Sequence, residues 1–132
     1  SLTVAVVDQN DDQSRITIVT TGTPQVIEQI KAQLGRLVPV HGVTDLTVEG
    51  PHVEREMALV KVAGSGETRV ESLRIADIFR ARVVDSTITS FVFEITGSTD
   101  KINSFVGLMR PLGLVDVSRT GVVAISRGDK PM

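Results

Sequence analysis

The stretch SFVFEITGSTDKINSFVGLMRPLGLVDVS, residues 90–118, predicts a strand, a helix and a second strand in succession. Residues 90–96 alternate with period two, which places three apolar side chains on one face: Phe91, Phe93 and Ile95. Ser98 is a typical helix N-cap, and apolar residues recur at helical spacing after it: Ile102, Phe105, Val106 and Met109. The helix ends near Pro111, and residues 114–118 form the next strand.

The sequence upstream adds a strand at 56–62, a turn at 64–66, a helix at 67–80 and a strand at Arg82–Ser86. The helix carries a broad apolar stripe: Val70, Leu73, Ile75, Ile78 and Phe79. From Val53 onward the order is strand, helix, strand, strand, helix, strand, and a turn at Thr120 and Gly121 leads to one extra strand at 122–126. This order is typical of the split βαβ, ferredoxin-like arrangement, an α+β fold with an antiparallel sheet and its helices on one face.

The N-terminal part predicts a second, related domain. Residues 1–7 and 14–20 form a hairpin around an acidic turn at 8–12, and a helix follows the N-cap Thr23 at 24–36. Residues 38–48 read as a strand with a bulge at Gly42, after which Gly50 and Pro51 break the chain. We therefore expect a domain at 1–48, a linker at 49–53 and a domain at 54–132.

An internal repeat supports two tandem domains. Thr-Gly-Thr at 21–23 corresponds to Thr-Gly-Ser at 96–98, and apolar positions match downstream: Ile27 with Ile102, Ile30 with Phe105, and Leu34 with Met109. The first domain has strand, strand, helix, strand and lacks the opening strand and helix of the second. We expect that the opening strand and helix of the first domain are absent from this sequence. The first domain is therefore expected to be unstable when isolated.

Composition excludes several function classes. The 132 residues carry a net charge of -2, so no overall field attracts a polyanion, and nucleic acid is not an expected partner. The absence of cysteine excludes disulfides, thiolate metal sites and thiol catalysis, and a reducing compartment fits best. No apolar run approaches the ~18 residues needed to cross a bilayer, so we expect a cytoplasmic protein without a membrane partner.

Residues that carry chemistry are few. His41 and His52, the two histidines, lie beside Gly or Pro without a partner at motif spacing. The acidic turn 8–12 differs from a calcium loop, since Gln13 and Val19 occupy the Gly and Glu positions of that motif. The Gly-Ser-Gly at 64–66 reads as a tight connection rather than a phosphate loop. We therefore expect no catalytic residues and no metal site.

Three separated segments carry a resemblance to a known family. They are SLTVA at 1–5, HVEREMALVK at 52–61 and SRTGVVAISRGDK at 118–130, and IFR at 78–80 fits as well. In this order they resemble the small regulatory subunit of bacterial acetohydroxyacid synthase, also called acetolactate synthase. The resemblance covers essentially the whole chain.

The resemblance implies an N-terminal ACT domain and a C-terminal ACT-like domain in a homodimer whose paired ACT sheets bind a branched-chain amino acid, usually valine. It also implies that the catalytic large subunit holds thiamine diphosphate, FAD and magnesium, and that this chain holds no cofactor. The expected function is to activate the large subunit and confer feedback inhibition by valine in branched-chain amino acid biosynthesis.

One departure from the family concerns the effector site. Family members open with a strand, an Asn-Glu-Ser-Gly-type turn that contacts the amino acid, and a helix. Without that turn we expect the chain alone not to bind valine tightly. By resemblance, the effector region retained here comprises Thr3, Ala5 and Gln29.

Two alternatives stay open from the sequence. One is a free-standing ACT-type amino-acid sensor that acts on another enzyme or regulator. The other is a small ferredoxin-like enzyme, which is disfavoured because no paired carboxylates, nucleophile or basic clamp can be placed.

Overall fold

A computed structural model describes residues 2–5, 15–19, 22–36, 43–44, 46 and 50–129. In chain order its elements are β1 (Leu2–Ala5), β2 (Arg15–Ile18), α1 (Pro24–Gly35), β3 (Val43–Thr44), β4 (His52–Ala63), α2 (Gly66–Ile78), β5 (Arg82–Ser86), β6 (Ser90–Gly97), α3 (Thr99–Met109), a 3-10 turn (Arg110–Leu112), β7 (Leu114–Arg119) and β8 (Val123–Ser126).

The chain forms two compact units, Ser1–Glu54 with Val122–Met132, and Arg55–Gly121. These units differ from the expected domains in that Val122–Met132 falls with the first. β4 also begins at His52, within the expected linker. The division into domains 1–48 and 54–132 stays a prediction.

The first unit contains a three-stranded antiparallel sheet in the order β2-β1-β3. The predicted hairpin pairs Leu2 with Ile18 and Ala5 with Arg15. The helix predicted at 24–36 is present as α1. Its N-cap is Thr23, whose hydroxyl accepts a hydrogen bond from the backbone N–H of Val26 at 3.3 Å. The turn at 8–12 and the bulge at Gly42 lie outside the described residues.

The second unit places its strands side by side in the order β5-β6-β4-β7, all antiparallel. Val60 of β4 lies between Phe93 of β6 and Val117 of β7. Since side chains alternate along each strand, one face of the sheet is buried against the helices. The core contains the predicted apolar faces of β6 and α3: Phe91, Phe93, Ile95, Ile102, Phe105, Val106 and Met109. β4 adds residues that were not predicted as core, Ala58, Val60 and Val62, and α2 adds Ile75 and Ala76. The ferredoxin-like α+β fold is confirmed.

A left-handed glycine ends the 3-10 turn and starts β7. Gly113 has φ of 105°, and its carbonyl accepts a hydrogen bond from the N–H of Ala63 at 2.8 Å. A Cβ at this position would lie 2.0 Å from the carbonyl oxygen of Ala63. Only glycine fits this approach of β7 to β4.

The stripe predicted for α2 is only partly correct. Ile75 is buried and Phe79 packs against the core, but Val70 and Ile78 are 66% and 63% exposed. The buried face instead includes two small side chains, Ser72 and Ala76. With Ile75 and Phe79 they follow helical spacing, and small residues let the helix approach its neighbours closely.

Candidate functional site

The residues expected to bind an effector lie on two elements of the first unit. Thr3 and Ala5 belong to β1, the central strand of its sheet, where Thr3 pairs with Thr17 on one side and Thr44 on the other. Gln29 lies on the exposed surface of α1.

Gln29 lines an open surface depression of about 510 Å³ together with Pro24, Gln25 and Glu28. The Glu28 carboxylate lies 3.7 Å from the Lys31 ammonium. This surface is polar and offers amide donors and acceptors. The structure therefore places one of the three expected effector residues at a recess, and the role of all three stays a prediction.

A connected polar cluster lies in the second unit, around the buried Glu56. Its carboxylate accepts hydrogen bonds from Arg119 through both Nε and Nη2, the latter at 3.0 Å, and from the Thr99 hydroxyl at 3.3 Å. Arg119 also donates from Nη1 to Asn103 Oδ1 at 2.7 Å. The cluster joins β4, β7 and the first turns of α3.

The electrostatics of this cluster keep both charges in place. The hydrogen bonds from Arg119 lower the pKa of Glu56, although burial opposes them, and the same pair raises the pKa of Arg119. A carboxylate that stays ionised and is already doubly bonded is unsuited to proton transfer near neutral pH. The cluster therefore has a structural role, tying α3 to the sheet.

This cluster is not predicted by the local sequence patterns, although β4 carries a signal for it. In β4 the core-facing positions are Glu56, Ala58, Val60 and Val62. A charged residue in phase with an apolar face predicts a buried charge, which requires a partner. The partner could not be identified, because Arg119 is 63 positions away.

The two histidines are the other candidate residues that the sequence singles out. His52 Nε2 lies 3.0 Å from Glu54 Oε1, and His41 lies outside the described residues. Within the part of the chain that the structure describes, no three His, Cys, Asp or Glu residues are grouped as metal ligands. In the same residues, no helix combines the length and apolarity needed to cross a membrane.

The predicted connection at 64–66 is present as a tight link between β4 and α2. The N–H of Gly64 donates to the carbonyl of Thr89 at 2.8 Å, and the Thr68 hydroxyl donates to the carbonyl of Ser65. Beside it lies an open depression of about 710 Å³, lined by Gly66, Glu67, Thr68, Val70, Glu71 and Leu112. No side chain aimed into it is left buried without a partner among the described residues, so it carries no assigned ligand.

Comparison with known proteins gives consistent matches. A family model described as the small subunit of acetolactate synthase matches residues 55–128. A protein of Archaeoglobus fulgidus named a probable acetolactate synthase small subunit is 43% identical over 130 residues, which are 98% of this chain and 80% of that protein. The acetolactate synthase isozyme 3 small subunit of Salmonella typhimurium is 45% identical over 133 residues, which are 100% of this chain and 80% of that protein.

A solved structure gives the same result for the fold. The crystal structure of the acetolactate synthase small subunit from Thermotoga maritima superimposes with a TM-score of 0.81 at 33% sequence identity. The match covers 97% of this chain and 80% of that one.

Proposed function

The chain belongs to the family of acetolactate synthase small subunits, and from that membership we propose that it activates the catalytic large subunit and makes it sensitive to valine. The family predicted from three short segments is thereby confirmed. The chain is a regulatory, non-catalytic subunit in branched-chain amino acid biosynthesis. The observation that carries the proposal is the match of the family model to residues 55–128 together with relatives that align along the whole chain.

We also propose which tasks belong to each subunit and to each domain of this chain. We place thiamine diphosphate, FAD and magnesium on the large subunit, which performs the chemistry, and none of them on this chain. We assign effector binding and dimerisation to domain 1–48, and contact with the large subunit to domain 54–132. A cytoplasmic location stays a prediction.

The proposed mechanism of inhibition is a population shift in a homodimer. A valine bound between two copies, near Thr3, Ala5 and Gln29, favours one relative orientation of the copies and so stabilises a less active complex. Valine shifts this equilibrium only by its differential affinity for the two states. A coupling free energy of about 1–3 kcal/mol is enough for inhibition of several-fold or more.

Activation is tested by assaying acetolactate formation by the purified large subunit with and without this chain. A second form of the chain, extended at its N-terminus by the opening segment of the Salmonella relative, is assayed in parallel. We expect both forms to raise activity several-fold and valine to inhibit only with the extended form. No effect of either form on activity would contradict the proposal and favour a free-standing amino-acid sensor.

The effector site is tested at Gln29, because this residue is exposed and its replacement leaves the core intact. In the extended form, Gln29→Ala is expected to raise the valine concentration for half-inhibition about tenfold, which corresponds to about 1.4 kcal/mol. Gln33→Ala is the matched control, since Gln33 is exposed on the same helix one turn further on. Equal valine sensitivity of the two variants would remove Gln29 from the site.

A further inference from the structure

The sheet of the second unit carries a small recess on the face that points away from its helices. In β4 the buried positions alternate with Leu59 and Lys61, which therefore lie on this second face. The recess has a volume of about 230 Å³ and is lined by side chains of three neighbouring strands: Leu59, Lys61, Val92, Asp116 and Ser118. Since sites for drug-sized ligands measure about 300–1,000 Å³, this one suits a smaller molecule.

A bulge in β7 forms one side of the recess. Lys61 pairs with Asp116, whereas the next residue, Val62, pairs with Leu114, so β7 contains one extra residue at this point. Bulges redirect side chains and are frequent next to active sites. The Asp116 carboxylate is held in place, because its Oδ1 accepts a hydrogen bond from the N–H of Val117 at 2.9 Å. Its Oδ2 accepts no hydrogen bond from the residues that the structure describes.

The recess combines a cation, an anion and an apolar surface. Lys61 is the cross-strand partner of Asp116, yet within the described part of the chain its ammonium forms no ion pair or hydrogen bond. Glu94 lies two positions from Val92 on the same face and does not pair with Lys61 either. Leu59 and Val92 supply the apolar surface beside these charges. Two opposite charges next to apolar side chains match a small zwitterion that has an apolar group.

We propose that this recess binds a free α-amino acid with an apolar side chain. Lys61 binds the α-carboxylate, Asp116 Oδ2 accepts a hydrogen bond from the α-ammonium group, and the ligand side chain packs on Leu59 and Val92. Both ionic contacts are exposed to solvent and therefore weak, so we expect a dissociation constant of about 1 mM. The site is separate from the expected effector residues of the first unit. The inference rests on the recess and not on the proposed regulatory function.

Titration of the full chain with L-leucine, followed by amide NMR spectra, tests the binding. The amide signals of Lys61, Val92 and Val117 are expected to shift together along one saturation curve. The amides of β1 and α1 report on the expected effector region in the same spectra. The two sites are therefore distinguished within a single titration.

Charge removal tests the two ionic contacts. Lys61→Met keeps the length of the side chain, and Asp116→Asn keeps the Oδ1 acceptor for the N–H of Val117. Each is expected to raise the dissociation constant for leucine about fivefold, as expected for one exposed ion pair. Arg82→Met and Asp85→Asn are the matched controls, because they make the same charge changes on the exposed strand β5, outside the recess. These controls should leave the affinity unchanged.

Ligand analogues test which residue binds which end of the amino acid. N-acetyl-leucine lacks the ammonium group, and leucinamide lacks the carboxylate. Asp116→Asn is expected to weaken binding of leucine and leucinamide but not of N-acetyl-leucine. Lys61→Met is expected to weaken binding of leucine and N-acetyl-leucine but not of leucinamide. A merely structural role of either residue would weaken all three ligands equally.

Three results would overturn the proposal. The first is the absence of shifts at the recess at leucine concentrations well above the expected dissociation constant, including the case in which only first-unit amides shift. The second is an equal loss of affinity in the control variants. The third is that these amides respond to the large subunit but not to leucine, which would identify a protein interface. None of these results bears on the activation assay, so the proposed function is tested separately. Circular dichroism verifies the fold of each variant.

Discussion

Helices α1 and α3 begin in the same way but differ in how deeply they are buried. The Thr23 hydroxyl accepts from the N–H of Val26 at 3.3 Å, and the Ser98 hydroxyl accepts from the N–H of Lys101 at 3.2 Å. α3 buries four residues, Ile102, Phe105, Val106 and Met109, whereas α1 buries none completely. The residues of α1 that align with this face are only half-buried: Ile27, Ile30 and Leu34.

This difference distinguishes features that neighbouring residues in the sequence determine from features that depend on residues far apart in the chain. A cap and an apolar stripe are encoded within a dozen residues, so the repeat reproduces them in both helices. Burial depends on the layer that the stripe meets. In α3 that layer includes Phe93 of β6, whose ring centre lies 6.0 Å from that of Phe105, and Phe79, at 5.4 Å.

The polar attachments of the two helices differ as well. Thr99 and Asn103 join α3 to Glu56 and Arg119. At the aligned positions α1 has Pro24, which carries no hydroxyl, and Glu28, which pairs with Lys31 on its own helix. Among the residues that the structure describes, the better-packed helix α3 is therefore also hydrogen-bonded to its sheet through polar side chains.

Core truncation should show the largest difference between the helices. Phe105→Ala removes a fully buried ring and is expected to lower the free energy of unfolding by about 3–5 kcal/mol. Leu34→Ala, on the half-buried face of α1, is expected to cost about 1 kcal/mol. Urea denaturation followed by circular dichroism measures both, because the chain has no Trp or Tyr. Equal losses would show that burial does not distinguish the helices.

The second-largest loss of stability is expected in the Glu56 cluster. Glu56→Gln removes one charge of a buried pair whose partner is about one-third exposed, and we expect a loss of about 2–3 kcal/mol. Glu71→Gln is the control; it breaks the exposed pair with Arg74 and should leave the melting temperature unchanged.

The pH dependence of the same variant gives an independent check. Because the folded pKa of Glu56 lies below its ordinary value of 4.5, the unfolded chain binds the proton more readily. The pair therefore stabilises fully above that value, and its contribution is lost as pH falls through the folded pKa. The stability difference between the native chain and Glu56→Gln should be constant from about pH 6 to 8 and shrink below about pH 4.5. A difference that grows on acidification would contradict this assignment.

The helix caps should show the smallest difference between α1 and α3. Thr23→Ala and Ser98→Ala each remove one hydrogen bond to a backbone N–H, at an expected cost of about 1 kcal/mol. Near-equal losses in urea denaturation would confirm that capping is a local property. A much larger loss for Ser98→Ala would show that the cap of α3 is coupled to the core beneath it.

The same distinction between local and long-range features explains which parts of the fold could be predicted from the sequence. The hairpin, the Ser98 cap, the Phe91, Phe93 and Ile95 face and the succession of strands and helices along the chain all follow from periodicity and caps within short windows. The Glu56–Arg119 pair, by contrast, joins residues far apart in the chain, so no local pattern specifies it. Thr3, Ala5 and Gln29 came from resemblance alone, since nothing in their spacing points to a ligand.

Helix α2 shows the limit of periodicity, and one of its exposed residues provides the smallest loss of stability expected for a single substitution. Its apolar residues surround much of the helix, so periodicity alone does not identify the buried face, which includes the two small residues Ser72 and Ala76. Ile75→Ala is expected to cost about 2–3 kcal/mol, whereas Ile78→Ala, three residues further on and 63% exposed, should change stability by less than about 0.5 kcal/mol. Parallel urea denaturation of the two variants measures this. If Ile78→Ala cost as much as Ile75→Ala, the predicted stripe would describe the buried face after all; a much smaller loss would show that the stripe extends beyond the face that is buried.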